Sequence, residues 1–360
     1  GDVYTWGDGR SGATGIDLSR EEDQEVAHPT RVLGLGGARN TVVVLASGVK
    51  HLLAVTSEGQ LFSWGDGSHG RLGHGDHTKV SSPRQISTLK QKHIKTAAAG
   101  EEHSAAATVD GDIFTWGSGS FGKLGHGEPL DESTPRQIHA FAGRHVDHVA
   151  CGYAHTVVLC SNHEVLAWGS GWKGKLGLGD DQNRLTPTPI SSLKRKHVSQ
   201  LVCGSFHTIV LTEAGDVFTW GIGERGQLGH GDLENHKTPT SVLGLQGNPV
   251  GCIAAGEAHS MASAADGSMT WAWGAGHYGQ LGVGGVDPRL SPARIEDLDK
   301  SLHVTSVACG ANHSGVVCED GRVFMWGNSA NSRLGIDSTD EQEMPQLVPS
   351  LTEAALTQAG

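Results

Sequence analysis

Hydrophobic and polar positions along the chain fall into short alternating runs, and the same order of runs returns again and again. Around Trp116 the order is representative. Residues 104–108 form one extended run, Asp110-Gly111 interrupts it, and Ile113-Phe114-Thr115-Trp116 alternates beyond the interruption. Asp-Gly supplies the positive φ that a tight hairpin needs, so these two runs predict an antiparallel pair. The turn recurs at Glu58-Gly59, Ala214-Gly215, Asp266-Gly267 and Asp320-Gly321. A further run precedes each pair, as in His148-Val149-Ala150-Cys151, and another begins at a proline downstream, where an edge position tolerates a missing N–H. No 3.6-residue periodicity lies between them.

The register of the repeat is set by a Trp-Gly pair at Trp6, Trp64, Trp116, Trp168, Trp220, Trp273 and Trp326, spaced by 58, 52, 52, 52, 53 and 53 residues. Pro83, Pro135, Pro187, Pro239, Pro292 and Pro345 each follow their tryptophan by 19 residues, and Pro29 follows the first by 23. A G-x-x-H box ends at His51, His103, His155, His207, His259 and His313. Seven copies of three to four antiparallel strands predict an all-β fold, a seven-bladed β-propeller of about 52-residue repeats. Residues 1–360 then make one domain. Ala359-Gly360 aligns with Ala99-Gly100 and Gly1 with Gly111, so one strand of one blade is unaccounted for. The expectation is a ring closed by its N- and C-terminal strands and cut from a longer protein.

W-G-x-G-x-x-G-x-L-G-x-G, present as Trp116-Gly117-Ser118-Gly119-Ser120-Phe121-Gly122-Lys123-Leu124-Gly125-His126-Gly127, together with the later proline and the G-x-x-H-S/T box, resembles the regulator of chromosome condensation repeat family over essentially the whole chain. That resemblance implies a seven-bladed propeller. It also implies a choice of functions: guanine-nucleotide exchange on the Ran GTPase, ultraviolet-B reception in plants, or protein binding within large multidomain proteins such as HECT-type ubiquitin ligases. Exchange factors of the family use acidic and His residues in the G-x-x-H loops and a wedge inserted after a W-G; Glu101, Glu102 and Glu257 match the former, and no inserted wedge is present. The photoreceptors carry G-W-R-H-T boxes, and none occurs here.

Charge and chemistry narrow the choice. The formal charge is −12, and the richest basic run, Lys194-Arg195-Lys196-His197, stands alone, so no nucleic-acid partner is expected. No stretch approaches the ~18 consecutive apolar residues of a bilayer span, and no membrane partner is expected. The G-x-G-x-x-G runs lead into Leu-Gly rather than a helix, which removes the anion site of a dinucleotide fold and assigns the glycines to tight turns. Box histidines about 52 residues apart are read as hydrogen-bonded within each blade rather than as metal ligands. No cofactor, metal or catalytic constellation is expected. The six cysteines form no CxxC and read as small buried side chains in a reducing interior, cytoplasmic in preference to nuclear.

Side chains that depart from the repeat at loop positions are the candidate binding residues, because the fold does not require them. Trp172-Lys173 stands where other copies place Ser68, Ser120, Glu224 and His277. The variable box residues include Glu101, Glu102, Tyr153, Phe206, Glu257 and Asn312, expected on one face, with Tyr153 beside Phe206 and an acidic character suited to a basic segment. The longer first copy, with Ser19-Arg20-Glu21-Glu22-Asp23-Gln24-Glu25, is expected to hold a loop. The expected function is a non-enzymatic protein-protein interaction module, with exchange on a Ran-like small GTPase as the alternative.

Overall fold

The computed structural model describes residues 1–16, 24–37, 40–141, 143–298 and 302–351; the charged insertion of the first copy and the Ala359-Gly360 alignment fall mainly or wholly outside them. Secondary structure among the described residues is β-strand and short 3₁₀ turns, with no α-helix. The chain divides into two units, the first made of Gly1–Val26, Thr30–Trp172 and Asp180–Arg195, the second of Ala27–Pro29, Lys173–Gly179 and Lys196–Gly360.

The first unit opens with strands β1 (Tyr4–Asp8) and β2 (Glu25–Arg31), which pair only with each other. Three four-stranded antiparallel sheets follow: β3 (Val42–Ser47), β4 (His51–Thr56), β5 (Leu61–Gly65) and β6 (Val80–Gln85); β7 (Ile94–Ala99), β8 (His103–Thr108), β9 (Ile113–Gly117) and β10 (Glu132–Gln137); β11 (Val146–Cys151), β12 (His155–Cys160), β13 (Val165–Gly169) and β14 (Arg184–Pro189). The second unit holds three more: β15 (Val198–Cys203), β16 (His207–Thr212), β17 (Val217–Gly221) and β18 (His236–Ser241); β19 (Val250–Ala255), β20 (His259–Ala264), β21 (Thr270–Gly274) and β22 (Arg289–Arg294); β23 (Val304–Cys309), β24 (His313–Cys318), β25 (Val323–Gly327) and β26 (Gln342–Leu347). This is an all-β propeller architecture with six complete blades and one two-stranded sheet. Among the described residues the first copy therefore has two strands where each of the other six has four.

Each blade is an up-and-down meander, so sequence neighbours pair and all contacts within a blade are short in sequence. The prolines lie in the fourth strand, as in β6 and β10, where the ladder to the third strand is interrupted by a register shift. Pro has no N–H to give there, and an outer strand with a bulge asks for none. The repeat tryptophans at the end of the third strands are 0% exposed in all six complete blades, and each such side chain stabilises the fold by an amount that truncation would remove at a cost of about 3–5 kcal/mol. The core runs between sheets rather than within one: Trp168 packs with Ala105, Ile113, Ile138 and Phe141 of the preceding blade, and Trp326 with Ala272, Leu281 and Ile295.

Polar bonds repeat with the same period and fasten blade to blade. Within the first unit, Trp116 Nε1 donates to the Arg71 carbonyl (2.9 Å), and Ser104 Oγ donates to the same oxygen (2.8 Å). The Ser104 proton is thus committed to Arg71, and its lone pair receives Nε2–H of His51 (2.8 Å). His103, Thr156, Lys123 and Trp168 repeat the arrangement. The second unit has it twice, as His207, Ser260, Gln227 and Trp273, and as His259, Ser314, Gln280 and Trp326. The expected bonding of the box histidines within their own blades is corrected for His51, His103, His207 and His259: these rings reach the hydroxyl of the next blade. The reason is steric, because each ring lies against its own box glycine, where a Cβ on Gly100 would meet His103 Cε1 at 2.7 Å and the Gly152 carbonyl at 2.6 Å. The ring can only point outward from its blade.

Nδ1 of His51, His103, His207, His259 and His313 is buried without a hydrogen-bond partner. A charged imidazolium would need a donor's partner at both nitrogens, and burial accordingly lowers the pKa of His51, His207 and His259 to about 3. His51, His103, His207 and His259 are neutral, with Nε2–H donating to the next blade's hydroxyl, and hold blades together.

Candidate functional site

Strand direction decides which loops share an end. In every complete blade the first strand runs up to the G-x-x-H box and the third runs up to Trp-Gly, so the box loop and the Trp-Gly loop open on the same end of the sheet, and the Asp-Gly hairpins on the other. Arg71 Nη1, from the Trp-Gly loop after β5, donates to the Glu101 carbonyl of the next blade's box (3.0 Å), and within that blade Ser118 N donates to the Glu102 carbonyl (2.8 Å), which ties the two loop types together. The candidate residues all lie on loops of this kind.

The Trp-Gly loops close by tight 3₁₀ turns. Gly119 shows why glycine recurs, since a Cβ there would stand 1.9 Å from the Leu130 carbonyl. One position of the turn is left-handed although it is not glycine: His69 (φ 60°), Phe121 (φ 62°), Lys173 (φ 55°) and Asn331 (φ 55°). Such backbone costs of order 1 kcal/mol per non-glycine residue and places the side chain at the loop tip. The turn glycines have no helix behind them, consistent with their assignment to turns.

In the first unit the box residues Glu101 and Glu102 are half-buried and Tyr153 is 42% exposed. Glu102 Oε2 lies 3.4 Å from Lys123 Nζ and its Oε1 3.6 Å from His69 Nε2, while His69 Nδ1 is 3.0 Å from Asp131 Oδ2. Burial pushes Asp131 up, but the Gly119 N–H (2.9 Å) and His69 outweigh it and hold the carboxyl below its ordinary range. Lys123 is 2% exposed, and burial lowers its pKa against the attraction of Glu102. The Glu101 charge, followed by burial, raises the pKa of Tyr153, so the phenol stands over an acidic patch. Trp172 is 53% exposed on the fourth blade's loop.

The second unit carries the remaining candidates. Lys173 is ion-paired with Glu224, which also accepts from Asn235 Nδ2 (3.2 Å). Phe206 is half-buried with Lys175 Nζ 5.7 Å from its ring centroid, and burial lowers Lys175 to about 8. Glu257 is exposed and Asn312 half-buried. The cation beneath an aromatic ring gives this loop end a character unlike the carboxylates of the first unit.

Sequence reasoning missed three residues at this end. Phe121 is 51% exposed at a left-handed loop tip, and His69 and Asp131 form the polar bridge beside Glu102. Phe121 had a signal, since the same turn position holds His69, Lys173, Arg225 and Tyr278 in other copies. The six cysteines are free thiols, and burial raises Cys203 and Cys309 to about 12, so neither offers a thiolate. Among the described residues no group of His, Cys, Asp and Glu is placed to hold a metal, and no helix is long and apolar enough to cross a membrane.

Comparison with known proteins agrees with this frame. Residues 1–250 match the family described as RCC1-like domain, and residues 268–317 and 320–360 match the regulator of chromosome condensation (RCC1) repeat. The ultraviolet-B receptor UVR8 of Arabidopsis thaliana is 34% identical over 351 residues, covering 97% of this chain and 78% of the receptor. The human E3 ubiquitin-protein ligase HERC2 is 36% identical over 316 residues, which are 87% of this chain and 6% of the ligase. Among solved structures, yeast RCC1 (Prp20) in complex with Kap60 superposes with a TM-score of 0.85 at 23% identity, over 96% of this chain and 83% of that one. Human WBSCR16 gives 0.84 at 23% identity, over 96% and 93%. The chain belongs to the regulator of chromosome condensation (RCC1) repeat family.

Proposed function

We propose that this chain is a non-enzymatic protein-binding module, a seven-bladed propeller whose loop ends engage other proteins. One observation carries the reading: the shared residues of the repeat are used up in holding blades together, while the side chains that break the repeat are exposed at one end of the sheets. Trp172, Tyr153 and Phe121 are large, exposed and not required by the fold. Rigid aromatic anchors rimmed by charge are what binding surfaces use. In the first unit Tyr153 stands beside Glu101 and Glu102, which suits a basic segment. Phe206, Glu257, Asn312 and Lys173 extend the candidate surface in the second.

The setting we favour is a large multidomain protein of the HECT-type ubiquitin ligase kind, inside the cell and in the cytoplasm in preference to the nucleus. Similarity to a segment of HERC2 and the six free thiols support it. We do not extend ultraviolet-B reception to this chain, because none of its boxes contains tryptophan. The second reading, exchange on a Ran-like GTPase, is favoured by Glu101, Glu102 and Glu257 at box positions.

Release of a fluorescent guanine nucleotide from Ran separates the two. The binding reading expects the intrinsic release rate. Acceleration by several orders of magnitude would replace it with the exchange reading. Changing Tyr153, Trp172 or Phe206 to alanine should then reduce capture of a defined partner, and retention by all three variants would remove this end from consideration.

A further inference from the structure

Three large apolar side chains stand exposed around one turn of the first unit. Phe121 occupies the tip of the Trp-Gly loop after β9 and is 51% exposed, Leu130 lies just before β10 at 59%, and Leu185 is the second residue of β14 at 38%. The backbone brings them together. The main chain of Leu130 lies against Gly119, where a Cβ on that glycine would run into its carbonyl, and a Cβ on Gly122 would run into Leu185 Cδ2. The Leu185 carbonyl also accepts the Gly127 N–H (2.8 Å), which fixes β14 against the same loop. The turn that carries Phe121 is thus flanked by one leucine from its own blade and one from the next. Large exposed apolar residues scattered singly are ordinary, whereas grouped ones mark an interaction surface.

The repeat requires none of the three. In the other complete blades the position of Phe121 is held by His69, Lys173, Arg225, Tyr278 and Asn331, and that of Leu130 by Thr78, Gln182, Glu234, Asp287 and Asp340. The position of Leu185 is Ser81, Ser133, Lys237 or Glu343, and only Leu290 shares its side chain. Polar residues therefore satisfy the fold at all three places. Phe121 is also held at φ 62°, in the left-handed region that a bulky side chain seldom adopts, and the strain keeps its ring at the loop tip.

The surroundings are acidic. Residues 128–136 and 180–185, which carry the two leucines, hold Glu128, Asp131, Glu132, Asp180 and Asp181 against Arg136 and Arg184. Arg136 is shared between Glu128 (2.8 Å) and Glu132 (2.7 Å), and Arg184 pairs with Asp180 (2.7 Å), so the balance stays negative. We propose that Phe121, Leu130 and Leu185 form a docking site for a short basic-apolar segment of another protein, in which one or two large apolar side chains are flanked by lysine or arginine, a site that rests on the reading of the loop ends as protein-binding. A second copy of the chain would set the same carboxylates against these. It would also need ~800 Å² from each partner, and an aromatic side chain buries only roughly 150–250 Å², so three half-exposed side chains fall well short. The same negative charge repels an anionic lipid surface.

Random peptides of about twelve residues displayed on phage are selected on the whole chain, and the selected sequences are titrated as synthetic peptides against the chain and its variants. A triple variant carries Phe121→His, Leu130→Thr and Leu185→Ser, side chains that other copies hold at these positions, with its melting temperature as the control for folding. Leu130→Thr alone, at the most exposed of the three, is titrated beside it. Selected peptides should join a large apolar residue to lysine or arginine, bind the triple variant at least about tenfold more weakly and Leu130→Thr at least about threefold more weakly. Their affinity should also fall at least about threefold between about 0.1 and 0.5 M salt. Peptides that bind both of these variants undiminished but weaken with Tyr153→Ala, Trp172→Ala or Phe206→Ala would overturn this site and leave protein binding at the loop ends standing; peptides insensitive to every variant would overturn both. Selection of acidic peptides, or of none, would overturn the site as well. So would binding to phosphatidylcholine–phosphatidylserine vesicles, or self-association, that only the triple variant loses, since either would name a different occupant.

Discussion

The Nε2 of His51 lies 2.8 Å from the hydroxyl of Ser104, a residue 53 positions further along the chain and in the next blade. The bond is buried, and Ser104 Oγ–H donates to the Arg71 carbonyl that also accepts from the Trp116 indole N–H. Removing Ser104 leaves the buried Nε2–H of His51 with nothing to bind, and removing His51 leaves a cavity and an unused Ser104 lone pair. His51→Ala and Ser104→Ala should each destabilise the protein by about 2–3 kcal/mol, and the double variant by at least about 1 kcal/mol less than their sum. Denaturant unfolding of the four proteins in the cycle checks this; additive losses would show that the two residues do not interact.

The same histidines make stability depend on pH. His51, His207 and His259 have pKa values lowered by burial to about 3, against about 6.5 when the chain is unfolded. Between those values the unfolded state holds more protons than the folded one, so stability is fully present above pH 6.5 and is lost as pH falls towards 3. Each such histidine contributes a slope of about 1.4 kcal/mol per pH unit in that window. Melting temperature should be level from pH 7 to 8 and fall steeply below pH 6. Replacing one box histidine by glutamine should flatten the curve, and a melting temperature unchanged down to pH 4.5 would contradict neutral, buried rings.

A second polar pair recurs on a shorter span. Thr115 Oγ1 donates to the Leu124 carbonyl (2.6 Å) and lies 3.0 Å from Nε2 of His126, and Ser63 with His74 and Thr219 with His230 repeat it. Where the first position is Ala272 or Met325, the second is Val283 or Ile336; where it is Ala167, the second is Leu178. In the six complete blades polar goes with polar and apolar with apolar, and the first copy, with Thr5 and Ile16, is the exception. Thr115→Ala alone should cost about 1–2 kcal/mol by stranding His126, and adding His126→Leu should recover most of the loss. A double variant less stable than Thr115→Ala would show that the pairing is not what links the two positions.

Box glycine is required by crowding. At Gly100 an added Cβ would stand 2.6 Å from the Gly152 carbonyl oxygen, which belongs to the neighbouring blade and cannot move without it. Gly100→Ala should lower stability by at least about 2 kcal/mol, whereas alanine at Gly143, which has nothing within 4 Å of its Cβ, is limited to the smaller strain of its left-handed backbone. Thermal melts of the two variants give the comparison, and equal losses would contradict the steric account.

Much of this was legible in the chain because repetition exposes register. Seven Trp-Gly pairs, a proline at constant distance and a box ending in histidine gave three to four strands per copy, where the complete blades have four and the last begins before its proline rather than at it, and the departures at Tyr153 and Trp172 are exposed as loop side chains should be. The destination of the box histidine was not legible, since hydrogen-bond direction depends on which way a ring is turned by its own glycine. Its partner left a trace all the same: the residue after each box histidine is Ser or Thr except for Leu52. Phe121 varies from copy to copy as the other candidates do, but the left-handed backbone that places it at the loop tip is announced by no side-chain pattern. The first copy looked like the others in its tryptophan and has two strands among the described residues, because a Trp-Gly pair marks one strand and says nothing of its neighbours.

The most direct measurement compares the two ends of the blades. Variants at the box and Trp-Gly loops (Glu101→Lys, Tyr153→Ala, Trp172→Ala, Phe206→Ala) and at the opposite hairpins (Asp110→Lys, Glu213→Lys) are titrated with one purified partner, with melting temperature as the control for folding. Affinity should fall at least about tenfold for two or more loop-end variants and stay within about twofold for both hairpin variants. Undiminished affinity in every loop-end variant, or losses confined to the hairpins, would contradict recognition through the residues that break the repeat.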